Sequence, residues 1–165
     1  MSQTKPSSQQ PPLGAEYAVF QKDVGTWDAH IVVRPGPGQP EQVSRGVTVN
    51  RLVAGGRWLV TDFRNETTGF EGHGVYGWDA TKKKYVGTWV DDMRSFLSVA
   101  EGTWDEQART MTYRNEFTRP DGNVMRWREV TESRDADTQV FRTLFAGPDG
   151  SEFEAMTVTY TRRKG

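Results

Sequence analysis

From Gly25 to the C-terminal region, apolar and polar residues alternate with a period of two, and this alternation constrains the fold most strongly. The alternating segments are rich in Val, Thr, Trp, Tyr and Phe, which favour a pleated, half-buried surface. Gly, Pro, Asp and Asn interrupt the pattern at intervals of roughly 8 to 14 residues. The pattern predicts about ten strands, at residues 26–34, 42–52, 58–67, 72–78, 84–90, 95–104, 110–118, 124–132, 139–145 and 153–162.

The connections between these strands are short and rich in turn-forming residues, as at residues 54–56 and 120–123. Short connections place consecutive strands side by side and antiparallel. An open sheet would leave two exposed edges, and closing it removes both. We therefore expect an all-β fold, an up-and-down antiparallel β-barrel of about ten strands that is lipocalin-like and can enclose one small ligand.

The residues before the first strand have a different pattern. Leu13, Tyr17, Phe20 and Val24 recur at helical spacing and Gly25 follows them, which predicts one short N-terminal helix. Residues 1–12 are mostly polar, so we expect a disordered tail followed by a single barrel domain at residues 13–165. The tail lacks the apolar core of a secretory signal, and no later apolar run is long enough to cross a membrane, which predicts a cytoplasmic protein.

Composition argues against several functional classes. The chain has 21 basic and 22 acidic residues and a net charge of −1, so we expect neither a nucleic-acid nor a membrane partner. It has no cysteine and two histidines far apart in sequence, which argues against a thiolate or imidazole metal site, and we expect no metal. No glycine-rich phosphate loop precedes a helix, and we expect no cofactor.

Strand alternation also sorts side chains into an inner and an outer face. The clearest segment is 110–117, where Met111, Tyr113, Asn115 and Phe117 share the inner face, while His30 falls on the outer face of the first strand. Inward aromatic rings with a few polar side chains are typical of small-molecule pockets. We expect the ligand-binding residues to be Phe63, His73, Tyr85, Trp89, Asp91, Tyr113, Asn115, Phe117 and Trp127.

Two of these positions allow alternatives. Asp91 ends a strand, so its carboxylate either accepts turn amides and pairs with an arginine or faces the cavity. In segment 124–131 either of two alternating sets could be inward; we favour Met125 and Trp127, because the other set would desolvate two arginines.

Short motifs recur along the whole predicted barrel. Gly-Thr-Trp stands at residues 25–27, 87–89 and 102–104. Gly-Val-Tyr-Gly-Trp-Asp at 74–79 and Thr-Trp-Val-Asp at 88–91 follow the first copy, and Tyr-Thr-Arg at 160–162 ends the pattern. In this order the motifs resemble a bacterial family known as a domain of unknown function, DUF1579. The resemblance covers residues 20–162 and implies a lipocalin-like barrel without an assigned activity.

A more distant architectural similarity is to nitrobindin, a ten-stranded haem barrel that opens with a similar Gly-x-Trp and holds iron through a histidine near its C-terminus. The present chain has no histidine after His73, which lies between two glycines. A lone histidine in this context does not predict a haem site.

Three kinds of function fit these observations. We expect binding of a small hydrophobic or aromatic molecule in the barrel interior. The alternative is a cofactor-independent enzyme of the isomerase, cyclase or lyase type, because a carboxyl or phenol desolvated among rings acquires a shifted pKa. The third is an interaction module whose barrel is filled by side chains and has no pocket. Separately, the outward position of Trp58 suggests a homodimer contact. The candidates for acid–base chemistry are Tyr85, His73, Asp91, Tyr113 and Glu129.

Overall fold

The computed structural model describes residues 12–146 and 150–164. The expected N-terminal tail, residues 1–12, lies outside the described residues except for Pro12. A 3-10 turn, Ala15–Tyr17, leads into one short helix, α1 (Ala18–Asp23). Ten strands follow: β1 (Gly25–Val33), β2 (Gln42–Val53), β3 (Trp58–Asn65), β4 (Glu71–Asp79), β5 (Lys84–Asp91), β6 (Arg94–Asp105), β7 (Thr110–Thr118), β8 (Val124–Ser133), β9 (Thr138–Ala146) and β10 (Glu152–Arg162).

The ten strands form a closed barrel in which each strand pairs antiparallel with its neighbours in sequence. Strand β1 closes the barrel by pairing with both β2 and β10, so that Trp27 lies opposite Thr48 on one side and Arg162 on the other. The predicted ten-stranded, lipocalin-like barrel is therefore confirmed. The connections after β1, β3, β5 and β7 lie at one end, which we call the mouth, and α1 lies at the other, which we call the closed end.

Helix α1 packs its Val19 and Phe20 side chains against the closed end, where both are buried. The Phe20 ring meets the Tyr85 ring edge-on at a centroid distance of 5.7 Å. The helix is shorter than the predicted apolar stripe: Leu13 and Val24 lie beyond its two ends and are exposed. Among the described residues, no helix has the length and apolar character needed to span a membrane.

The first and last sequence motifs meet at the closed end and hold α1 in place. The Trp27 side chain is 1% exposed, and its Nε1 donates to the carbonyl oxygen of Asp23 at 2.9 Å. The Arg162 guanidinium lies 4.0 Å from the Trp27 ring centroid and donates to the carbonyl oxygen of Val24 at 2.6 Å. Gly25 has a φ of 128°, and a Cβ there would lie 2.9 Å from Arg162 Nη1. Glycine therefore permits both the backbone turn and the crossing of the arginine.

Candidate functional site

The barrel interior differs between its two ends. At the closed end Leu59, Tyr85 and Met111 are buried in one core cluster. A second cluster, Ala29, Ile31 and Val158, is buried where β1 meets β10, and half-buried apolar side chains pack against it. We call the interior from these clusters to the mouth, which half-buried side chains border, the lumen. Its apolar wall includes Val33, Phe63, Trp89, Phe96, Phe117, Met125, Phe141, Phe145 and Met156.

Glycines on the inner wall allow aromatic rings to lie flat against it. A Cβ at Gly72 would lie 2.1 Å from a ring carbon of Trp89, and a Cβ at Gly74 or Gly87 would lie 2.5 Å from the ring of Tyr76. These rings thus cover the strand backbone where any other residue would push them into the lumen. A barrel of ten strands has a wider interior than the eight-stranded barrels that side chains fill, and the flat rings preserve that width.

Deeper in the barrel than the mouth, the inner wall carries the carboxyl group of Glu129. Glu129 on β8 lies opposite Tyr113 and Thr143, and its Oε1 accepts a hydrogen bond from Trp127 Nε1 at 2.9 Å. Desolvation raises the pKa of Glu129, and the Trp127 hydrogen bond opposes that rise. Among the described residues Glu129 has no ion-pair partner, although the charge of Arg94 also lowers its pKa.

Asn115 lies beside this carboxyl on the neighbouring strand. Its Oδ1 accepts a hydrogen bond from Ser98 Oγ at 3.1 Å. It is near enough to Glu129 to lower the pKa of that carboxyl, but without a hydrogen bond of ordinary geometry. Within the described part of the chain, the buried Nδ2 of Asn115 has no hydrogen-bond partner. A buried donor without a partner destabilises the empty site and is available to a ligand.

Three tyrosines complete the polar surroundings of Glu129. The rings of Tyr76 and Tyr113 have centroids 5.5 Å apart, and the hydroxyl of Tyr113 is buried without a partner among the described residues. Burial raises the pKa of Tyr76, Tyr113 and Tyr160, and the nearby charge of Glu129 raises each further. All three hydroxyls are therefore protonated at neutral pH. We call Glu129, Asn115 and these tyrosines the polar cluster.

Most of the residues predicted from the sequence lie in or around the lumen. Phe63, Trp89, Phe117 and Trp127 face inwards from β3, β5, β7 and β8. Phe117 stacks on Phe96 at a centroid distance of 4.0 Å. Tyr113 and Asn115 also face inwards and belong to the polar cluster. On β8, Met125 and Trp127 face inwards, which is the alternative favoured from the sequence.

Asp91 faces inwards at the mouth, but its carboxylate already has several partners. Its side chain is 3% exposed, and it accepts hydrogen bonds from Trp89 Nε1 at 3.1 Å and from the backbone nitrogen of Met93 at 3.0 Å. Arg94 pairs with it at 3.2 Å. Of the two interpretations of Asp91, the structure shows the turn and ion-pair one.

His73 and Tyr85 lie away from the lumen. His73 is on the outer face of β4, its side chain 58% exposed and its Nδ1 2.8 Å from Asp62 Oδ1. The glycines on either side of it occupy the inner positions of β4, so the expectation of an inward His73 is wrong by strand parity. Tyr85 faces inwards, but it lies at the closed end and its hydroxyl donates to the carbonyl oxygen of Glu16 at 3.0 Å.

Of the five residues considered for acid–base chemistry, the structure brings Tyr113 and Glu129 together. Sequence reasoning missed Tyr76 and Tyr160 as site residues. The inward position of Tyr76 was available from the alternation of Gly72, Gly74 and Tyr76 along β4. Tyr160 stands in the C-terminal motif, but its proximity to the cluster depends on the pairing of β10 with β1.

Other surface features do not compete with the lumen. A depression of about 350 Å³ lies beside α1 and includes Arg109 and Arg162, and one of about 330 Å³ lies on the outer face of β2–β4 beside His73. Both are shallow and open to solvent, whereas the lumen is enclosed by the barrel wall. Trp58 lies outside, as expected, but it is half-buried because it covers Gly77, whose Cβ would lie 2.3 Å from its ring. Across residues 12–146 and 150–164, no three His, Cys, Asp or Glu side chains are grouped to hold a metal ion.

A closed ten-stranded antiparallel barrel with a helix across one end is a lipocalin-like barrel. Residues 13–162 match the family described as protein of unknown function (DUF1579), and the chain belongs to that family. Tyr160–Arg162 and Gly25–Trp27, which carry the sequence resemblance, are the segments that meet at the closed end.

Comparison with solved structures supports the fold. The crystal structure of Rv2717c from M. tuberculosis is similar, with a TM-score of 0.65 and 12% sequence identity over 93% of this chain and 100% of that chain. At this identity the likeness concerns the fold alone. A redesigned β-barrel, b11L5F_LGL, has a TM-score of 0.39 and 13% identity over 90% of this chain and 96% of that chain, too low to carry an argument. No curated protein matches the sequence.

Proposed function

We propose that the lumen binds one small hydrophobic or aromatic molecule, which enters through the mouth. The observation that carries the proposal is a pair of buried polar atoms inside the barrel, Asn115 Nδ2 and the Tyr113 hydroxyl, which have no hydrogen-bond partner among the described residues. Buried polar atoms normally have a protein, water or ligand partner. Half-buried apolar side chains line the interior towards the mouth, which no described helix covers.

The wall supplies apolar contact area on several sides of the lumen. Phe63, Trp89 and Phe117 come from three different strands, and the stacked Phe96–Phe117 pair gives a broad flat surface near the mouth. Rigid rings bury large areas at low entropic cost, and burial of apolar area is the principal source of affinity in such pockets. A ligand with an aromatic or compact hydrophobic body matches these surfaces.

The polar cluster supplies orientation. Asn115 Nδ2 and the Tyr113 hydroxyl are buried and unpartnered among the described residues, so a ligand that pairs with them gains hydrogen bonds that cost the protein no existing ones. Pockets of this kind use a few convergent polar groups to fix a ligand in an otherwise apolar environment.

The proposal is tested by closing the lumen with one side chain. Thr61 faces inwards on β3, opposite Gly74, and the adjacent Val60 faces outwards opposite Val75. The probe is phenylnaphthylamine, a neutral dye whose fluorescence rises in apolar surroundings. We expect saturable binding to the wild type, a loss of about tenfold or more in Thr61→Trp, and a change of no more than about twofold in Val60→Trp.

Both variants introduce a tryptophan at neighbouring positions of β3. Thr61→Trp changes the inner face of the strand, and Val60→Trp changes the outer face. Equal affinity of both variants for the dye, or no saturable binding to the wild type, would contradict the proposal. Circular dichroism and thermal unfolding of each variant verify that the barrel is formed before the titration is interpreted.

A further inference from the structure

Glu129 is a half-buried carboxyl on the inner wall that forms no ion pair with the described residues. Among the described strand residues that face inwards, the cations are Arg162 at the closed end and Arg94 at the mouth, and Arg119, just beyond β7, contacts the inward Met125 Sδ at 3.6 Å. Arg162 is held by backbone carbonyls and the ring of Trp27, and Arg94 pairs with Asp91 at 3.2 Å. The charge of Arg94 lowers the pKa of Glu129, but Arg94 forms its ion pair with Asp91, so a cation that binds beside Glu129 would stabilise the ionised carboxylate further.

Aromatic side chains lie near the same carboxyl. Tyr113 lies directly opposite Glu129 in the β7–β8 register, and the Tyr76 ring lies 5.5 Å from the Tyr113 ring. Tyr76 and Tyr160 are near enough to Glu129 to respond to its charge, and Trp127 donates to it. Electron-rich rings near a carboxylate attract cations, and substituted ammonium groups in particular.

The unpartnered groups of the cluster complete this chemistry. The Tyr113 hydroxyl is buried within the polar cluster and can accept a hydrogen bond from an ammonium group. Asn115 Nδ2 can donate to a second, neutral polar group on the same ligand. A carboxylate ligand would instead bring a second negative charge beside Glu129 with no free cation to balance it.

We infer that the ligand carries a basic nitrogen, which binds as a cation between the Glu129 carboxylate and the faces of Tyr76, Tyr113 and Tyr160. The inference rests on the proposed function, because it names the chemical class of the molecule held in the lumen. The ligand is thus an aromatic or hydrophobic amine, with its apolar body against the wall towards the mouth and its nitrogen at the polar cluster.

The test uses three probes with the same apolar body and different polar groups: naphthylmethylamine, naphthalenemethanol and naphthoic acid. Their affinities for the wild type are measured by isothermal titration calorimetry at neutral pH. We expect the amine to bind about tenfold or more tightly than the alcohol, and the acid to bind least tightly. This comparison needs no variant and is independent of any folding defect.

A matched pair of variants then locates the effect. Glu129 and Glu132 lie on the same strand, the first inside the barrel and the second outside, where it pairs with Arg142. Glu129→Gln should weaken amine binding by about tenfold or more and leave the alcohol within about threefold, whereas Glu132→Gln should change neither.

The possible outcomes separate the inference from the function on which it rests. Equal binding of the three probes, or tightest binding of the alcohol or the acid, overturns the inference and leaves the lumen as a binding site. An unchanged amine preference in a folded Glu129→Gln variant also overturns it. Binding of none of the probes, together with failure of the dye titration, contradicts the proposed function itself.

Discussion

Asp23 at the closed end makes the stability of the fold depend on pH in a direction opposite to that of most carboxylates. Its carboxyl, on the last residue of α1, is half-buried, and Oδ1 accepts a hydrogen bond from Gln139 Nε2 at 2.6 Å. Desolvation raises the pKa of Asp23 from 3.8 to about 6, although the Gln139 hydrogen bond and the charges of Arg162 and Lys22 oppose the rise. The Asp23 carboxyl therefore binds a proton more tightly in the folded protein than in the unfolded chain.

The sign and size of the effect follow from linkage. Because the folded-state pKa is the higher one, the stabilisation is fully present below the unfolded-state value of 3.8 and is lost as the pH rises through about 6. A difference of about two pKa units corresponds to a full span of about 3 kcal/mol, most of which, about 2 kcal/mol, falls between pH 4 and pH 8. Ionised Asp23 thus destabilises the barrel at neutral pH.

The perturbation that tests this reasoning is Asp23→Asn, which keeps an oxygen for Gln139 and removes the titration. Relative to the wild type, the variant should gain about 2 kcal/mol in unfolding free energy between pH 4 and pH 8, as measured by urea denaturation followed through tryptophan fluorescence. Asp92→Asn removes an exposed carboxyl from the β5–β6 turn and controls for the loss of one surface charge. A difference between Asp23→Asn and wild type that stays constant with pH, or that falls towards pH 8, would refute the reasoning.

Two further substitutions test the packing that shapes the barrel. Arg162→Lys should lower the unfolding free energy by about 2 to 4 kcal/mol, because an ammonium cannot reproduce the planar stacking and the several carbonyl contacts; Arg163→Lys, in an exposed ion pair, should change it by less than about 0.5 kcal/mol. Gly72→Ala should lower the unfolding free energy by about 1 to 3 kcal/mol and shift the Trp89 indole resonance, because the new Cβ overlaps that ring. Its control, Gly14→Ala, places a Cβ against the flexible side chain of Glu16 and should leave the unfolding free energy nearly unchanged. Urea denaturation measures all four, and equal effects within either pair would be inconsistent with these contacts.

The barrel could be predicted from the sequence because a period of two is a local property. The predicted strand at 110–118 coincides with β7, and the strand predicted at 58–67 ends two residues later than β3. Helix α1 was predicted too long, since the flanking apolar residues Leu13 and Val24 are exposed. Spacing alone does not show where a short helix stops packing against the barrel.

The candidate site was partly predictable for the same reason. Strand alternation places Tyr113, Asn115 and Glu129 on the inner face. It also places His73 on the outer face, because Gly72 and Gly74 on either side of it face inwards. Depth along the barrel has no local signature. Tyr85 faces inwards like Trp89, yet α1 covers it at the closed end.

The composition of the polar cluster is a consequence of closure. Tyr76 on β4 and Tyr160 on β10 are far apart in sequence, and both respond to the charge of Glu129 on β8. Their proximity depends on the pairing of β1 with β10 and on the width of the closed barrel. The sequence pattern shows neither the pairing of β1 with β10 nor the width of the barrel. It therefore predicts which residues face inwards better than it predicts which of them are in contact.

The most direct test of the lumen as a binding site is a ¹⁵N–¹H titration that follows the tryptophan indole resonances during addition of naphthylmethylamine. Trp127 donates its indole proton to Glu129, Trp89 lines the wall near the mouth, and Trp58 lies on the outer face. The account predicts saturable shifts of the Trp127 and Trp89 resonances and an unchanged Trp58. Shifts confined to Trp58, or six unchanged indole resonances at a saturating probe concentration, would contradict it.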